Sequence, residues 1–150
     1  MMPTPTTALA ALMQAFFDAV SFEPGERPPY ERLHGLFIDG GLLIRNIGPA
    51  PEVTGVAQFI APRQRSVEAG ELTAFRETEL ADITEVFGQV AHRTSTYAKT
   101  GTLNGQAFAA RGVISTQFVS TPIGWRISAM AWDDERPGLA LPARYEPPAA

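Results

Sequence analysis

From Ala74 to Asp133 the chain keeps a period of two, and no other feature constrains the fold as much. Phe75 to Phe87, Val90 to Thr100, Gln106 to Ser120 and Trp125 to Asp133 alternate in the manner of strands. The connections between them are short. Gly88 marks the first, the Asn104-Gly105 pair the second, and Thr121-Pro122-Ile123-Gly124 the third. Asn-Gly is a strong hairpin signal, and Pro at the second and Gly at the fourth turn position suit a tight reversal. Four long strands so joined form an antiparallel meander. Its last hairpin, residues 111–138, ends at the polar run Asp133-Asp134-Glu135-Arg136 and is broken by Pro137-Gly138.

The first half of the chain has a different rhythm. Leu9, Leu12, Met13, Phe16, Phe17 and Val20 fall on one face of an amphipathic helix, with Thr6 or Thr7 as N-cap. Pro28-Pro29 opens a second, shorter helix from Tyr30 to Phe37, followed by a turn at Gly40-Gly41 and a short strand from Leu42 to Ile47. Thr54 caps a third helix running to about Ala69, with Pro62 expected to kink it and Gly70 to end it. Helices first and strands last predict an α+β fold instead of a parallel α/β sheet. The reading is of one domain over 1–150, with a core from about 8 to 135 and a C-terminal tail from 136 to 150.

Composition narrows the function. A net charge of −4 is wrong for a general binder of nucleic acid or of anionic membranes, so neither partner is expected. The absence of cysteine removes disulfides, thiolate metal sites and cysteine nucleophiles. The two histidines, His34 and His92, form no metal-binding spacing, so no metal is expected, and no glycine-rich phosphate loop suggests a cofactor. The apolar run from Ala8 to Val20 has no preceding Lys or Arg and is interrupted by Gln14 and Asp18, which argues against a signal peptide. A cytoplasmic location is the resulting expectation.

The strands carry the candidate chemistry. Alternation places His92, Thr94 and Thr96 on one face, and Arg93, Ser95 and Tyr97 on the other. Glu77, Glu79 and Glu85 share a face of their strand, as do Arg111, Ser115 and Gln117 of theirs. One hypothesis brings Glu77, Glu79, Ser95, Tyr97, Arg111, Ser115 and Gln117 to a common side as the polar wall of a small-ligand pocket. The competing reading is a wet outer face, or a dimer face, held by cross-strand Glu–Arg pairs. His92 is the residue best suited to proton transfer near neutral pH, with Glu77 or Glu79 as the other candidate bases. Tyr97 or Arg111 would then stabilise negative charge. Asp133, Asp134 and Glu135, at a strand end, read as a hydrated rim. Trp125 and Trp132, seven positions apart, are expected on opposite faces, one under the helices and one on an outer apolar patch.

Particular strings carry a further likeness. Phe75, Glu77 and Glu79, Phe87-Gly88, Ala91-His92 with Ser95, Thr96 and Tyr97, then Arg111-Gly112, Ser115 and Gln117 form its first part. Gly124-Trp125-Arg126-Ile127, Met130-Ala131-Trp132-Asp133, Glu135-Arg136-Pro137, Pro142 and Tyr145 complete it. With the element order, they resemble an uncharacterised bacterial branch of the nuclear transport factor 2-like superfamily. That resemblance implies a cone: three helices packed in the concave side of a strongly bent, mainly antiparallel sheet around a central cavity. It also implies a homodimer through the outer sheet face. The expected ligand is a small, largely apolar or carbonyl-bearing molecule, with Glu77, Glu79, Ser95, Tyr97, Arg111, Gln117 and Trp132 as ligand-binding candidates. The alternative is an enzyme of the isomerase, dehydratase or cyclase kind. Ketosteroid isomerase uses an Asp base with a Tyr and protonated-Asp oxyanion hole, a trio that the sequence does not place. Asp39 falls where such a base could sit, though between Ile38 and Gly40 it reads equally as a turn residue, and Asp39 with His92 is the nearest imitation of the Asp/His pair of dehydratase-like members.

Overall fold

The computed structural model describes residues 4–149. Helix α1, Pro5–Val20, begins earlier than its apolar stripe predicts. Pro5 fits the first turn because no partner is needed for its missing N–H, and the Thr4 hydroxyl accepts from the Thr7 N–H at 3.2 Å. Thr4, not Thr6 or Thr7, is therefore the cap. Leu9, Met13, Phe16, Phe17 and Val20 are buried along one side. The second helix is a 3₁₀ helix, Tyr30–Leu36, which buries Tyr30 and Leu33 at the three-residue period of that helix type.

Strand β1, Phe37–Arg45, is longer than predicted because Gly40-Gly41 is a bulge within it and not a turn. Gly40 has φ +77°, open to glycine at little cost, and the five steps from Phe37 to Leu42 face only two, from Ile127 to Ala129, on the neighbouring strand. Strand β2, Glu52–Thr54, lies in a stretch that reads as loop in sequence. Its last residue, Thr54, donates its hydroxyl to the Leu43 carbonyl, so the cap of helix α2, Val56–Glu68, falls to Gly55. The Gln58 side chain accepts the Gly55 N–H at 3.0 Å. Helix α2 runs continuously through Pro62.

The meander consists of β3, Leu72–Phe87, β4, Val90–Leu103, β5, Gln106–Thr121, and β6, Gly124–Asp134. The sheet order is β2-β1-β6-β5-β4-β3, antiparallel throughout except for β1 against β6. It is strongly curled but unclosed. Two hydrogen bonds between Phe22 and Phe75 tie the segment after α1 to the far edge strand. The core fills the concave side, where Phe16, Phe17, Leu33 and Phe59 meet Tyr97, Ile114, Phe118 and Met130.

Two bulges decide which residues face that core. In β3, Glu79 pairs with Tyr97 but Ala81 with Thr96, so Leu80 is an extra residue. Phe75, Glu77 and Glu79 point inward, whereas beyond Leu80 Asp82 and Thr84 do. Glu85 consequently shares the outer face with His92, correcting the expectation that it lies beside Glu77 and Glu79. In β6, Gln117 opposes Ala129 and Phe118 opposes Ile127, leaving Ser128 extra. That bulge brings Trp125 to the same side as Trp132, and both pack against the core. The two rings are not on opposite faces, because one inserted residue shifts the phase of a strand.

The C-terminal tail crosses the outer face. The Thr96 hydroxyl donates to the Tyr145 carbonyl at 2.5 Å, and the Leu141 N–H donates to Glu135 Oε2 at 2.8 Å. Arg111 holds the carboxylates of Glu135 and Glu146, each at 3.0 Å.

Candidate functional site

The concave side is not fully packed. A cavity of about 470 Å³ lies between α1, α2 and the inner faces of β3 to β6. Phe16, Val20, Phe59, Phe75, Phe108, Ile114 and Trp132 give it an apolar wall, with the Phe59 ring edge-on to Trp132 at 6.0 Å. Small residues on the inner face help to make the space. At Gly101 a Cβ would come 2.4 Å from the Phe108 ring, and at Gly112 it would come 2.3 Å from the Tyr97 hydroxyl. Those two aromatic side chains occupy the space that a Cβ would take at each glycine.

Three ionisable groups of the sheet converge there. Glu77 of β3 sits opposite Lys99 of β4, and Asp134 closes β6. Lys99 Nζ is 3.0 Å from Asp134 Oδ1. The Tyr97 hydroxyl donates to the same Asp134 oxygen and lies 2.9 Å from the Asp133 carbonyl. Burial, and then the bond to Asp134, push the Tyr97 hydroxyl above its ordinary range, so it stays a donor. Tyr97, Asp134 and Lys99 thus satisfy one another.

Glu77 does not share in that arrangement. Its carboxylate accepts no hydrogen bond from any described residue. Burial pushes the carboxyl up to about 7, Lys99 and Arg63 pull it down, and Asp134 adds to the rise. A carboxyl that titrates near neutral pH inside an apolar cavity can take or give a proton there, and a neighbouring ammonium can stabilise negative charge that develops on a bound molecule. Arg63 of α2 also faces the cavity. Its guanidinium carbon lies 3.6 Å from the centroid of the Phe59 ring, and its Nη1 donates to the Phe59 carbonyl at 3.0 Å.

The residues anticipated from sequence are divided by the two faces. Glu77, Glu79, Ser95 and Tyr97 point inward together, and Trp132 lines the cavity. Arg111, Ser115 and Gln117 do not join them. Ile114 and Thr116 are the buried, inward residues of β5, so their odd-numbered neighbours face out. Arg111 anchors the tail, and the Gln117 side chain accepts from Ser128. Glu79 and Ser95, though inward, are already partnered: Glu79 oxygens accept from Arg93 Nε at 3.0 Å, from its Nη2 at 2.5 Å and from the Ser95 hydroxyl at 2.6 Å. His92 is on the outer face, its Nε2 2.8 Å from Glu85. Asp39 is exposed on β1 and is not among the residues that line this cavity. The Asp39–His92 pair is thereby corrected: neither residue reaches the cone interior.

Sequence reading passed over Lys99, Asp134 and Arg63. The signal for Lys99 was present, since it continues the phase of Arg93, Ser95 and Tyr97. Asp134 was grouped with its neighbours as rim, but alternation turns Asp133 and Glu135 outward and Asp134 inward. Arg63 falls four residues after Phe59 and four before Val67, on the apolar stripe of its helix, and that spacing is the signal for it.

No protein-family model matches the chain, and no curated protein matches it in sequence. Solved structures do match in shape. A nuclear transport factor 2-like superfamily protein from Salmonella enterica serovar Typhimurium superposes with a TM-score of 0.71 at 15% identity, over 89% of this chain and 94% of that one. A protein with a cystatin-like fold from Caulobacter vibrioides gives 0.68 at 17% identity, over 89% and 92%. A protein from Streptomyces avermitilis, provisionally named a dehydratase of the same family, gives 0.67 at 18% identity, over 89% and 99%. The chain has the nuclear transport factor 2-like cone fold. At these identities the likeness is one of fold, and function has to be argued from the site.

Proposed function

We propose that the cone binds a small, largely apolar molecule whose polar end is directed at the charged side chains of the wall, Glu77, Lys99 and Arg63 among them. One observation carries this reading: a mainly apolar cavity of about 470 Å³ that encloses a carboxyl and an ammonium instead of filling them in. Small-ligand sites have this composition, many apolar contacts and a few convergent polar ones. Native mass spectrometry of the protein, against the same sample denatured, tests it. An added small mass that is lost on denaturation is the expected result. A chain of 16.2 kDa with no added mass, and no binding of small aromatic or alicyclic probes, would overturn it. The same spectrum reads whether two chains travel together. A pair would use the outer face beside the tail, where Ile83, Phe87 and Val90 are exposed.

Glu77 favours a second reading, proton transfer on a carbonyl compound. Its carboxylate would take a proton from the carbon next to the carbonyl, leaving an enolate whose oxygen faces the Lys99 ammonium, and would return that proton to the same or another carbon. The dehydratase designation of the Streptomyces avermitilis neighbour belongs to the same broad class of chemistry. Deuterium uptake by 2-tetralone in D₂O, followed by NMR, is the assay. The base form is the ionised one, so the rate should rise with pH through about 7 and level off. Glu77→Gln should lower it by about 10²-fold or more. Equal rates for variant and wild type would end this reading and leave binding intact.

A further inference from the structure

The cations around the cavity are not equivalent. Lys99 is bound to Asp134 at 3.0 Å, and Arg45 Nη1 is bound to Glu52 at 2.7 Å. Arg63 is different. Among the described residues it forms no salt bridge, and only one of its N–H groups has a protein acceptor, the Phe59 carbonyl. A guanidinium carries five donors in a planar fork suited to a carboxylate. The plane is already positioned, because the guanidinium is stacked on the Phe59 ring, itself braced edge-on by Trp132. Burial also lowers the Arg63 pKa from its ordinary value, as expected for a cation brought partly out of water without a counter-ion.

From the unpaired Arg63 on the cavity wall we infer that the ligand is an anion: a small aromatic or alicyclic acid whose carboxylate is held by Arg63 and whose ring lies against Phe59 and Trp132. The inference rests on the cavity reading above and adds the charge and ring character of the molecule. A partly desolvated guanidinium gains from an anionic partner what it loses in hydration, and the stacked arrangement spares part of the ordering cost. Glu77 does not supply that partner, since it lies beyond ion-pair contact and acts on Arg63 only as a distant charge.

The test is a matched pair of probes, 2-naphthoate and its neutral amide, titrated into the intact protein and followed by backbone amide shifts. The acid should bind about tenfold or more tightly than the amide, with shifts at Ile114 and Trp132. Arg63→Gln should erase that preference by weakening the acid far more than the amide, and continued binding of the amide shows that the variant is folded. If acid and amide bind equally, or the amide binds better, the anion assignment is wrong and the cavity reading survives. Should Arg63→Gln weaken both alike, Arg63 shapes the wall and does not select charge, and the inference fails. Binding of neither probe, or shifts confined to residues outside the cone, would remove the cavity reading and this inference with it.

Discussion

Glu77 and Glu79 are two residues apart on the same face of the same strand, yet they occupy opposite kinds of environment. Glu79 is saturated: Arg93 gives it two N–H groups, Ser95 a hydroxyl, and the Arg93 Nη1 also reaches Thr84 at 2.9 Å and Asp82 at 3.2 Å. Glu77 has Lys99 as its cross-strand neighbour, but Lys99 is turned to Asp134. The contrast shows how two partly buried carboxyls on one strand diverge with the commitment of the cation on the next strand. Where the cation is free to pair, the charge is neutralised and rigid. Where a third group has claimed it, burial outweighs the cation's pull, raises the carboxyl to about 7 and leaves it facing open space.

Removing the cation from the saturated site should have the largest effect. Arg93 is buried, with 6% of its surface exposed, so Arg93→Met leaves Glu79 without its partner in low-dielectric surroundings. A loss of about 3 kcal/mol or more is expected from urea unfolding at pH 7, with much of it recovered when Glu79→Gln is added. A loss below about 1 kcal/mol would mean that Glu79 is as poorly compensated as Glu77, and the contrast would collapse. Glu77→Gln should act in the other direction. The folded chain raises the Glu77 carboxyl from 4.5 to about 7, so it binds this proton more tightly than the unfolded chain does. Stability attached to Glu77 is therefore full below about 4.5 and is lost as pH rises through about 7. The variant should match wild type near pH 4 and exceed it at pH 8 by about 2–3 kcal/mol. A variant less stable than wild type at pH 8 would show that the ionised Glu77 has a partner after all.

Much of the cone was legible because alternation over four strands has few other solutions. The turns at Gly88, Asn104-Gly105 and Pro122-Ile123 lie where turn chemistry put them. The site was harder to read for one physical reason: a bulge costs a single residue and leaves no compositional mark. Leu80 and Ser128 look like ordinary members of their strands, yet each reverses the facing of everything beyond it. Strict alternation therefore puts Glu85 and Trp125 on the wrong face. Arg111 failed differently, since nothing in Gln106 to Ser120 says which of its two faces meets the helices until Ile114, Thr116 and Phe118 are seen buried. Charge pairing is also invisible in one strand alone. Glu77 and Glu79 are indistinguishable in sequence, and the difference comes from Arg93 and Lys99 on a neighbour, and from Asp134 at the end of a third strand.

That third strand offers the finest adjustment of the comparison. Asp134 keeps Glu77 high in two ways, by its own negative charge and by holding Lys99 at 3.0 Å. Asp134→Asn removes the charge but retains an oxygen for the Tyr97 hydroxyl, so the tyrosine should stay in place. Lys99 is then free to turn one rung toward Glu77, and the Glu77 carboxyl should fall by about one pH unit in a carbon-13 NMR titration. It should not return to 4.5, because burial is the larger cause of the rise and the mutation does not add water. The pH at which 2-tetralone exchange reaches half its maximum should fall by the same amount, linking the electrostatics to the proton-transfer reading. An unchanged titration would mean that burial alone governs Glu77, and that the two glutamates differ in solvent and not in the commitment of their cations. A fall all the way to the ordinary carboxylate range would mean the reverse: Asp134 is the whole of the difference, and Glu77 becomes a second Glu79 once Lys99 is released.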